Sequence, residues 1–466
     1  MQNYFMSVLN AMTVKPEHAV YTLVVGLGKT GLSAVRYLHA LGETVVVVDS
    51  RDIPPGLNNL KEEFSDIEYH LGQFDVSLFV NAHRIIASPG VALSVPALVE
   101  ARKNNIEIIG DIDLFAHEVM APVVGITGSN GKSTVTTLLA LMASQSGMNA
   151  VASGNIGTPV LDSLNDDIDL YVLELSSFQL ETLQHLPMKA AVVLNISADH
   201  LDRYENIAAY AMSKQAIYDN ASTLVLNKDD ALARPVASAS AQQISFTLNA
   251  PLSNEFGLLT KDVGGPSTTA LYFGEQKLVD VNELKIKGKH NIQNALAALA
   301  LGYAIGLSLD SMVKTLTLFK GLRHRTQFVA EIDGVNWIND SKATNVGAAV
   351  AALEGLPGKQ VLIAGGEAKG ADFSELGKVI EQQCRAVILM GKDASMIEAV
   401  VPDSVPVKHV SDMRAAVLAA NAVAQKGDNV LLAPACASFD MFDNFEQRGD
   451  VFIAAVEALS SEVETS

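Results

Sequence analysis

The chain has 466 residues, more than one ordinary core uses at ~100 to 200 residues per domain, and its 49% hydrophobic and 18% charged content excludes a disordered chain. A formal charge of -19 excludes a nucleic-acid backbone as partner, because such binders carry basic patches that displace counterions; small anions held by helix N-termini and local lysines remain open. Cys384 and Cys436 are the only cysteines, too few for a disulfide framework or a four-cysteine zinc site, and a reducing compartment fits best.

The opening MQNYFMSVLN has no basic stretch before an apolar core, so no secretory signal is expected. The uncharged run Asn291 to Leu309 contains Asn, Gln, Ser and Gly, and is expected to be a buried helix with no membrane span. The expectation is a cytoplasmic enzyme.

In chain order, Tyr21 to Val25 is an apolar strand ending in Gly26-Leu-Gly28-Lys-Thr-Gly31. A helical pattern follows through Leu41, and a second strand, Thr44 to Val48, ends at Asp49, which completes a βαβ unit. Further strands fall at Ile85-Ile86-Ala87 and Ile106 to Ile109, and Ala121-Pro122 precedes a fresh strand, placing a domain boundary near Gly110. The middle region alternates strands (Val123 to Thr127, Leu170 to Glu174, Ala190 to Asn195, Thr223 to Leu226) with helices, the signature of a parallel sheet covered on both faces. Ala231 to Leu284 is rich in Ser, Thr and Gly and poor in helical pattern, which predicts a small antiparallel excursion before a helix from His290. A third βα series begins after Gly321, with strands at Val335 to Asn339, Gln360 to Ala364, Ala386 to Met390 and Asn429 to Ala433. The expected fold is therefore α/β in three domains: a Rossmann-like domain over 1–110 with an extension at 1–20, a central P-loop ATPase-like parallel-sheet domain over 111–321 carrying the excursion, and a C-terminal Rossmann-like α/β domain over 322–466.

Two glycine loops carry phosphate chemistry. Gly26-x-Gly28-x-x-Gly31, with Asp49 after the next strand, is the dinucleotide pattern, in which backbone approaches a pyrophosphate at a helix N-terminus and an acid takes a ribose hydroxyl. An NAD enzyme and a UDP-linked substrate both fit it, and a purely structural turn stays open. Gly125-Ile-Thr-Gly128-Ser-Asn-Gly131-Lys132-Ser133-Thr134 lies between a strand and a helix and offers amides, a lysine and hydroxyls to phosphates and magnesium. It departs from the strict G-x-x-x-x-G-K-[ST] count, having Ile126 five before Gly131. Asn227-Lys228-Asp229-Asp230 imitates the guanine-reading N-K-x-D of GTPases, but between Thr134 and Asn227 no Asp is followed three residues later by Gly, so the switch element is missing and a polar strand end is expected.

Glu174 and the cluster Asp199-His200-Leu-Asp202 follow strands, where a parallel sheet places its ligands, and their oxygen and imidazole donors suit magnesium beside phosphates. On a helix expected from Glu205 to Asn220, Lys214 shares the apolar stripe of Ile207, Tyr210, Ala211, Ile217 and Tyr218. Such a lysine either snorkels to water or faces a site where desolvation favours its neutral, modifiable form.

These segments together resemble the Mur ligase family: GSNGKST after a strand, a Glu at the second strand end, D-H-L-D-R-Y, a downstream lysine and Gly288-Lys-His290-Asn291-x-x-Asn294. Asn339-Asp340-Ser341-Lys342-Ala343-Thr344-Asn345, Gly365-Gly366-Glu-Ala-Lys369 and Pro434-Ala-Cys-Ala-Ser438 through Phe445-Glu-Gln-Arg-Gly449 are similar to its D-glutamate-adding branch, from about Leu23 to the end. One departure is Gly366-Glu367, where that branch often has glycine or aspartate at the second position. The resemblance implies an ATP-dependent ligase of peptidoglycan-precursor synthesis, a monomer that joins D-glutamate to UDP-N-acetylmuramoyl-L-alanine through an acyl phosphate, with ATP as co-substrate and two Mg²⁺ ions.

The same resemblance implies the site residues. Lys29, Thr30, Asp49, Ser50, Arg51, Ser88, Pro89 and Gly90, with Asn155 and His200, would contact the UDP substrate. Gly128, Ser129, Asn130, Gly131, Lys132, Ser133, Thr134, Asn291, Asn294, Arg325 and Asp340 would hold ATP. Ser133, Glu174, His200 and Lys214, the last carbamoylated by CO₂, would serve magnesium. Lys342, Thr344, Lys369, Ser438 and Phe445 would position D-glutamate, and Lys132, Glu174, His200, Lys214 and Arg325 would carry the catalysis. Two rivals stand beside this reading: a nucleotide-sensing regulator without turnover, against which Glu174, His200 and Lys214 argue, and an NAD-linked dehydrogenase, against which the second loop argues.

Overall fold

A computed structural model describes residues 20–200, 203–235, 241–261, 268–286 and 288–464. Most of the expected N-terminal extension, and Asp202 of the acid cluster, lie outside the described residues. The chain divides into two compact units.

The first unit runs to Met120 and takes in two later segments, Gly157–Asn165 and Phe178–Leu186. Its strands β1 (Thr22–Val25), β2 (Val45–Asp49), β3 (Glu68–Leu71), β4 (Arg84–Ala87) and β5 (Glu107–Ile109) form one parallel sheet in the order β3-β2-β1-β4-β5. Valine runs make β1 and β2 buried throughout, as strands covered on both faces must be. Between β1 and the helix Lys29–Ala40 the backbone turns on itself: Gly26 has φ +94°, and a Cβ on Gly31 would lie 1.8 Å from the Gly26 carbonyl oxygen. Residue 31 therefore admits only glycine. The later segments are tied in by Ser33 Oγ donating to Asp162 at 2.7 Å and by the Gln184 amide donating to Asp113 at 2.8 Å.

The second unit holds two sheets. The larger comprises β6 (Val123–Thr127), β7 (Ala150–Gly154), β8 (Leu170–Glu174), β9 (Ala190–Val193), β10 (Thr223–Asn227), β11 (Gln242–Phe246), β12 (Glu255–Lys261), β13 (Thr268–Phe273) and β14 (Gln276–Asp280). Its order is β14-β13-β12-β11-β10-β9-β6-β8-β7, with pairing parallel from β7 through β12. The antiparallel excursion is present as β12, β13 and β14, and it continues this same sheet instead of standing apart. The uncharged run forms a helix, Lys289–Ala304, buried along Ile292 and Ala295 to Leu301 and packed on the helix Lys132–Gln145. At roughly 1.5–3 kcal/mol per buried leucine or isoleucine, this contact holds the phosphate-loop helix against the sheet.

The Asn227 to Asp230 segment is a polar strand end, as expected: Asn227 Nδ2 donates to the Leu194 carbonyl at 2.7 Å, and Asp230 accepts the Ile196 amide at 2.7 Å. The smaller sheet comprises β15 (Gln327–Ile332), β16 (Val335–Asn339), β17 (Gln360–Ala364), β18 (Cys384–Leu389), β19 (Val407–His409) and β20 (Asn429–Leu432) in the order β15-β16-β20-β17-β18-β19, antiparallel only at β15. No helix of the described residues is long and apolar enough to cross a membrane.

Candidate active site

In the first unit, the glycine loop, Asp49-Ser50-Arg51 and Ser88-Pro89-Gly90 follow the carboxyl ends of adjacent parallel strands β1, β2 and β4, the crevice where such sheets take ligands. Ser88 Oγ donates to the Gly26 carbonyl at 3.0 Å, which fixes this edge of the loop. Lys29, Ser50, Arg51 and Gly90 are exposed, and Thr30 is half-buried. Asp49 is buried and already engaged: it accepts the Leu27 amide at 2.7 Å and both Nε and Nη2 of Arg51 at 2.9 and 2.6 Å. Burial pushes its carboxyl up, and the bonds from Arg51 and Leu27 more than reverse this, leaving it below its ordinary value. In an NAD enzyme the corresponding acid is free for a ribose; here it locks the loop and orients Arg51.

In the second unit the phosphate loop leaves β6, an interior strand between β9 and β8. Gly131 caps the helix with φ +83°, and a Cβ there would meet Asn294 Oδ1 at 2.2 Å, so loop and helix Lys289–Ala304 touch through a residue that must be glycine. Lys132 Nζ donates to the Gly128 and Ser129 carbonyls at 2.7 and 3.0 Å. Burial draws its pKa down, opposed by Glu174 and Asp199. Glu174, the last residue of β8, is fully buried; Oε1 accepts from Asn155 at 2.8 Å, while Oε2 has no hydrogen-bond partner. A buried carboxylate oxygen left over in this way is costly unless a cation or donor meets it. Among the described residues no three His, Cys, Asp or Glu side chains form a ready metal cage. Magnesium ordinarily takes one or two carboxylates and completes its shell with phosphate and water oxygens, so Glu174 Oε2 with Ser133 Oγ fits that ion.

Lys214 is 1% exposed, which excludes snorkelling. The helix carrying it is shorter than expected: α-helical over Ile207–Gln215, capped by Asn206, then tightening into 3₁₀ over Ala216–Asn220. Its Nζ donates weakly to Thr127 Oγ1 at 3.4 Å and stands 4.8 Å from the centre of the Tyr210 ring. Burial, then repulsion from Lys132, holds its amine well below the ordinary lysine range. His200 sits at φ +54° with Nε2 3.9 Å from Asp199.

Arg325 reaches the phosphate-loop helix and donates to Ser133 Oγ at 2.7 Å. It shares a pocket with Asn130, Gly131, Thr134, Asn294, Asp340 and Lys342. Burial lifts the Asp340 carboxyl to about 7, against the pull of Arg325 and the Thr326 hydroxyl. Lys342 lies 3.9 Å over the Phe445 ring, and burial followed by Arg325 draws it down to about 8. Thr344 and Lys369 line a different pocket, with Asp199, His200, Gly347 and Ala435. Ser438 is buried and lines neither pocket, although its carbonyl accepts the Phe442 amide at 2.8 Å. The departing residue Glu367 stands 3.5 Å from Lys392, and Lys369 keeps φ +50°, exposed, 5.8 Å from the Phe439 ring.

Several participants escaped the sequence. Asn345 caps the helix Val346–Gly355 and donates to Asn130 at 3.4 Å and Asp199 at 3.2 Å, joining the two pockets. Thr127 and Tyr210 enclose Lys214, and Thr326 bridges His290 and Asp340 at 3.3 and 3.2 Å. Non-glycine residues with positive φ gather here, His200, Thr326, Lys369 and Ala435 among them, as strained backbone does at functional sites.

One consequence concerns pH. Asp340 holds its proton from its ordinary range up to about 7 in the folded state, so the folded chain binds the extra proton and loses stability as pH rises through that window. In ligand-free protein, Asp340→Asn should match wild type near pH 4 and exceed it by about 4 kcal/mol near pH 8, measured by denaturant unfolding. A constant difference at all pH values would refute the assignment.

Family models match in chain order: a Mur ligase MurD-like N-terminal domain over 21–110, a Mur ligase middle domain over 126–302 and a Mur ligase glutamate ligase domain over 324–436. Proteins named UDP-N-acetylmuramoylalanine–D-glutamate ligase from Nitrosococcus oceani and Pseudomonas aeruginosa are each 50% identical, over 96% and 94% of this chain and 99% and 98% of theirs. Among solved structures, UDP-N-acetylmuramate-alanine ligase from Thermotoga maritima shares the fold at TM-score 0.59 and 18% identity, covering 94% of this chain and 99% of that one. A MurF ligase from the same organism, in complex with ADP, shares it at TM-score 0.59 and 16% identity, covering 96% and 98%. With family models along most of its length and relatives half identical from end to end, the chain belongs to the Mur ligase family, with the N-terminal domain of its MurD-like members.

Proposed function

We propose that this chain joins D-glutamate to UDP-N-acetylmuramoyl-L-alanine at the expense of ATP, working as a single chain in the cytoplasm during peptidoglycan-precursor synthesis. The observation that carries the reading is the meeting of a phosphate loop with buried Glu174 and Lys214 and half-buried Arg325 at one end of a parallel sheet. The segments 1–110, 111–321 and 322–466 are taken as the UDP-substrate, ATP and amino-acid domains.

On this reading the L-alanyl carboxylate attacks the γ-phosphorus of ATP, ADP leaves and an acyl phosphate forms. Lys132, Arg325 and the loop amides oppose the charge that shifts onto the leaving oxygens, which is most of what phosphoryl transfer requires of a protein. Asn291, Asn294 and Asp340 hold the nucleoside end. Two Mg²⁺ ions would be held by Ser133, Glu174, His200 and Lys214 as its carbamate, and bound there would neutralise phosphate charge. The D-glutamate amine then attacks the acyl carbon, phosphate leaves the tetrahedral intermediate and the amide closes. A base takes the amine proton, a role that His200, beside Asp199, fills only with its imidazole not bound to magnesium. Thr344 and Lys369 answer the amino acid's carboxylates, with Lys342, Ser438 and Phe445 completing its surroundings. Asp49 holds Arg51 toward the UDP pyrophosphate, beside Thr30 and Ser88.

Mass spectrometry of products from UDP-N-acetylmuramoyl-L-alanine, ATP and a panel of amino acids tests the acceptor. D-glutamate should be used at least ~100-fold better than the others, since unmatched buried polar groups discriminate strongly. Equal product with L-alanine, L-lysine or diaminopimelate would remove the D-glutamate assignment and leave the family.

A further inference from the structure

The first turn of the helix Phe445–Glu464 is stitched to two distant segments that also carry proposed amino-acid contacts. Ser341, between Asp340 and Lys342, donates its hydroxyl to the Phe445 carbonyl at 2.8 Å. Arg448, 2% exposed, donates from Nε to Ser341 Oγ at 3.0 Å, from Nη2 to the Ser341 carbonyl at 2.8 Å and from Nη1 to the Cys436 carbonyl at 3.2 Å. Cys436 stands two residues before Ser438. Beside Arg448, the Gly449 carbonyl accepts from Asn339 Nδ2 at 3.1 Å, and a Cβ on Gly449 would come within 2.3 Å of His324 Nδ1. The helix start thus has one seating.

Among the described residues no carboxylate accepts a hydrogen bond from this guanidinium. A buried charge held by carbonyls and a hydroxyl is a poor way to gain stability, and an apolar side chain of similar volume would fill the space. What Arg supplies that such a residue lacks is a rigid planar fork, able to fix two chain segments in one geometry.

We infer that Arg448 is a positioning residue for the amino-acid substrate, acting through Ser341 and Cys436 to set Lys342, Ser438 and Phe445 at fixed separations. The inference rests on the proposed amino-acid site, not on which amino acid occupies it. Arg448 donates to no residue of the phosphate loop, and Asp340, next to Ser341, has anchors of its own in the Leu432 carbonyl at 2.8 Å and the Thr326 hydroxyl at 3.2 Å, so the effect should fall on the amino acid.

Steady-state kinetics of Arg448→Ala and Arg448→Lys, with each of the three substrates varied, test this. The KM for D-glutamate should rise about tenfold or more in the alanine variant, with the KM values for ATP and the UDP substrate within about twofold of wild type. The lysine variant should fall between, because an ammonium can serve one segment at a time; if the alanine variant does not fold, the lysine variant carries the same comparison. Parallel increases in all three KM values, or a loss of kcat alone, would overturn the inference. If wild type prefers another amino acid, the same split is read with that acceptor, so the failure of the D-glutamate assignment and the failure of the Arg448 role give different results.

Discussion

Lys132→Ala should lower ligation by at least ~10²–10³-fold while leaving the unfolding transition in place, the range seen when one preorganised charge or donor is removed from a developing oxyanion. Lys132 is anchored to the carbonyls of Gly128 and Ser129, so its Nζ lies within the loop and needs little reorganisation to meet a phosphate. The fold should tolerate the change, because the charge is buried among polar groups and its removal relieves a desolvation cost. The effect should appear in kcat more than in the KM for the UDP substrate, since the interaction strengthens as charge moves to the leaving oxygens. Near-normal turnover in a natively folded variant would remove the phosphate loop from the reaction.

Lys214→Ala should lose most activity, and short carboxylates such as formate or acetate should restore part of it. An ammonium at this position would be repelled by Lys132 and by any magnesium held at Glu174, and burial already favours the neutral amine. A neutral amine adds CO₂ to form a carbamate, losing a proton to solvent, which turns the repelled cation into an oxygen ligand. A free carboxylate in the space left by alanine supplies the same oxygens. Lys214→Arg keeps charge and stem but takes up no CO₂, and should be as inactive as the alanine variant. An active arginine variant together with an alanine variant that no carboxylate rescues would sink the carbamate.

Those features of the site that lie within one βα turn were legible in the sequence. Gly128 to Thr134 could be read as a phosphate loop because strand, glycines and helix are contiguous, and Glu174 could be placed because residues at the carboxyl ends of parallel strands face the ligand. Lys214 was noticed through its apolar stripe, although the shortening of its helix at Gln215 was not. What long-range packing decides was hidden. Asn345 meets Asn130 across 215 positions, and Arg448 meets Ser341 across 107, pairings that no local pattern encodes. The positive φ values of Thr326 and Lys369 are imposed on residues with no preference for them, so nothing in their identity announces the strain. The return of Gly157–Asn165 and Phe178–Leu186 to the first unit was hidden for the same reason: both lie inside the 111–321 span, and Ser33 meets Asp162 and Asp113 meets Gln184 only through long-range packing.

Asp49 shows what a motif leaves open. Its position after β2 matches a ribose-binding acid, yet its bonds go to Leu27 and Arg51. A motif specifies where an acid stands and not which way its oxygens are used.

Oxygen tracing decides whether a carboxylate of the UDP substrate becomes an acyl phosphate before the amide forms. UDP-N-acetylmuramoyl-L-alanine labelled with ¹⁸O in the alanyl carboxylate is incubated with ATP, Mg²⁺ and D-glutamate, and the released inorganic phosphate is analysed by mass spectrometry. An acyl-phosphate path moves one carboxylate oxygen to phosphorus, so the phosphate formed with each amide should carry one ¹⁸O; unlabelled phosphate accompanying labelled product would exclude the acyl phosphate.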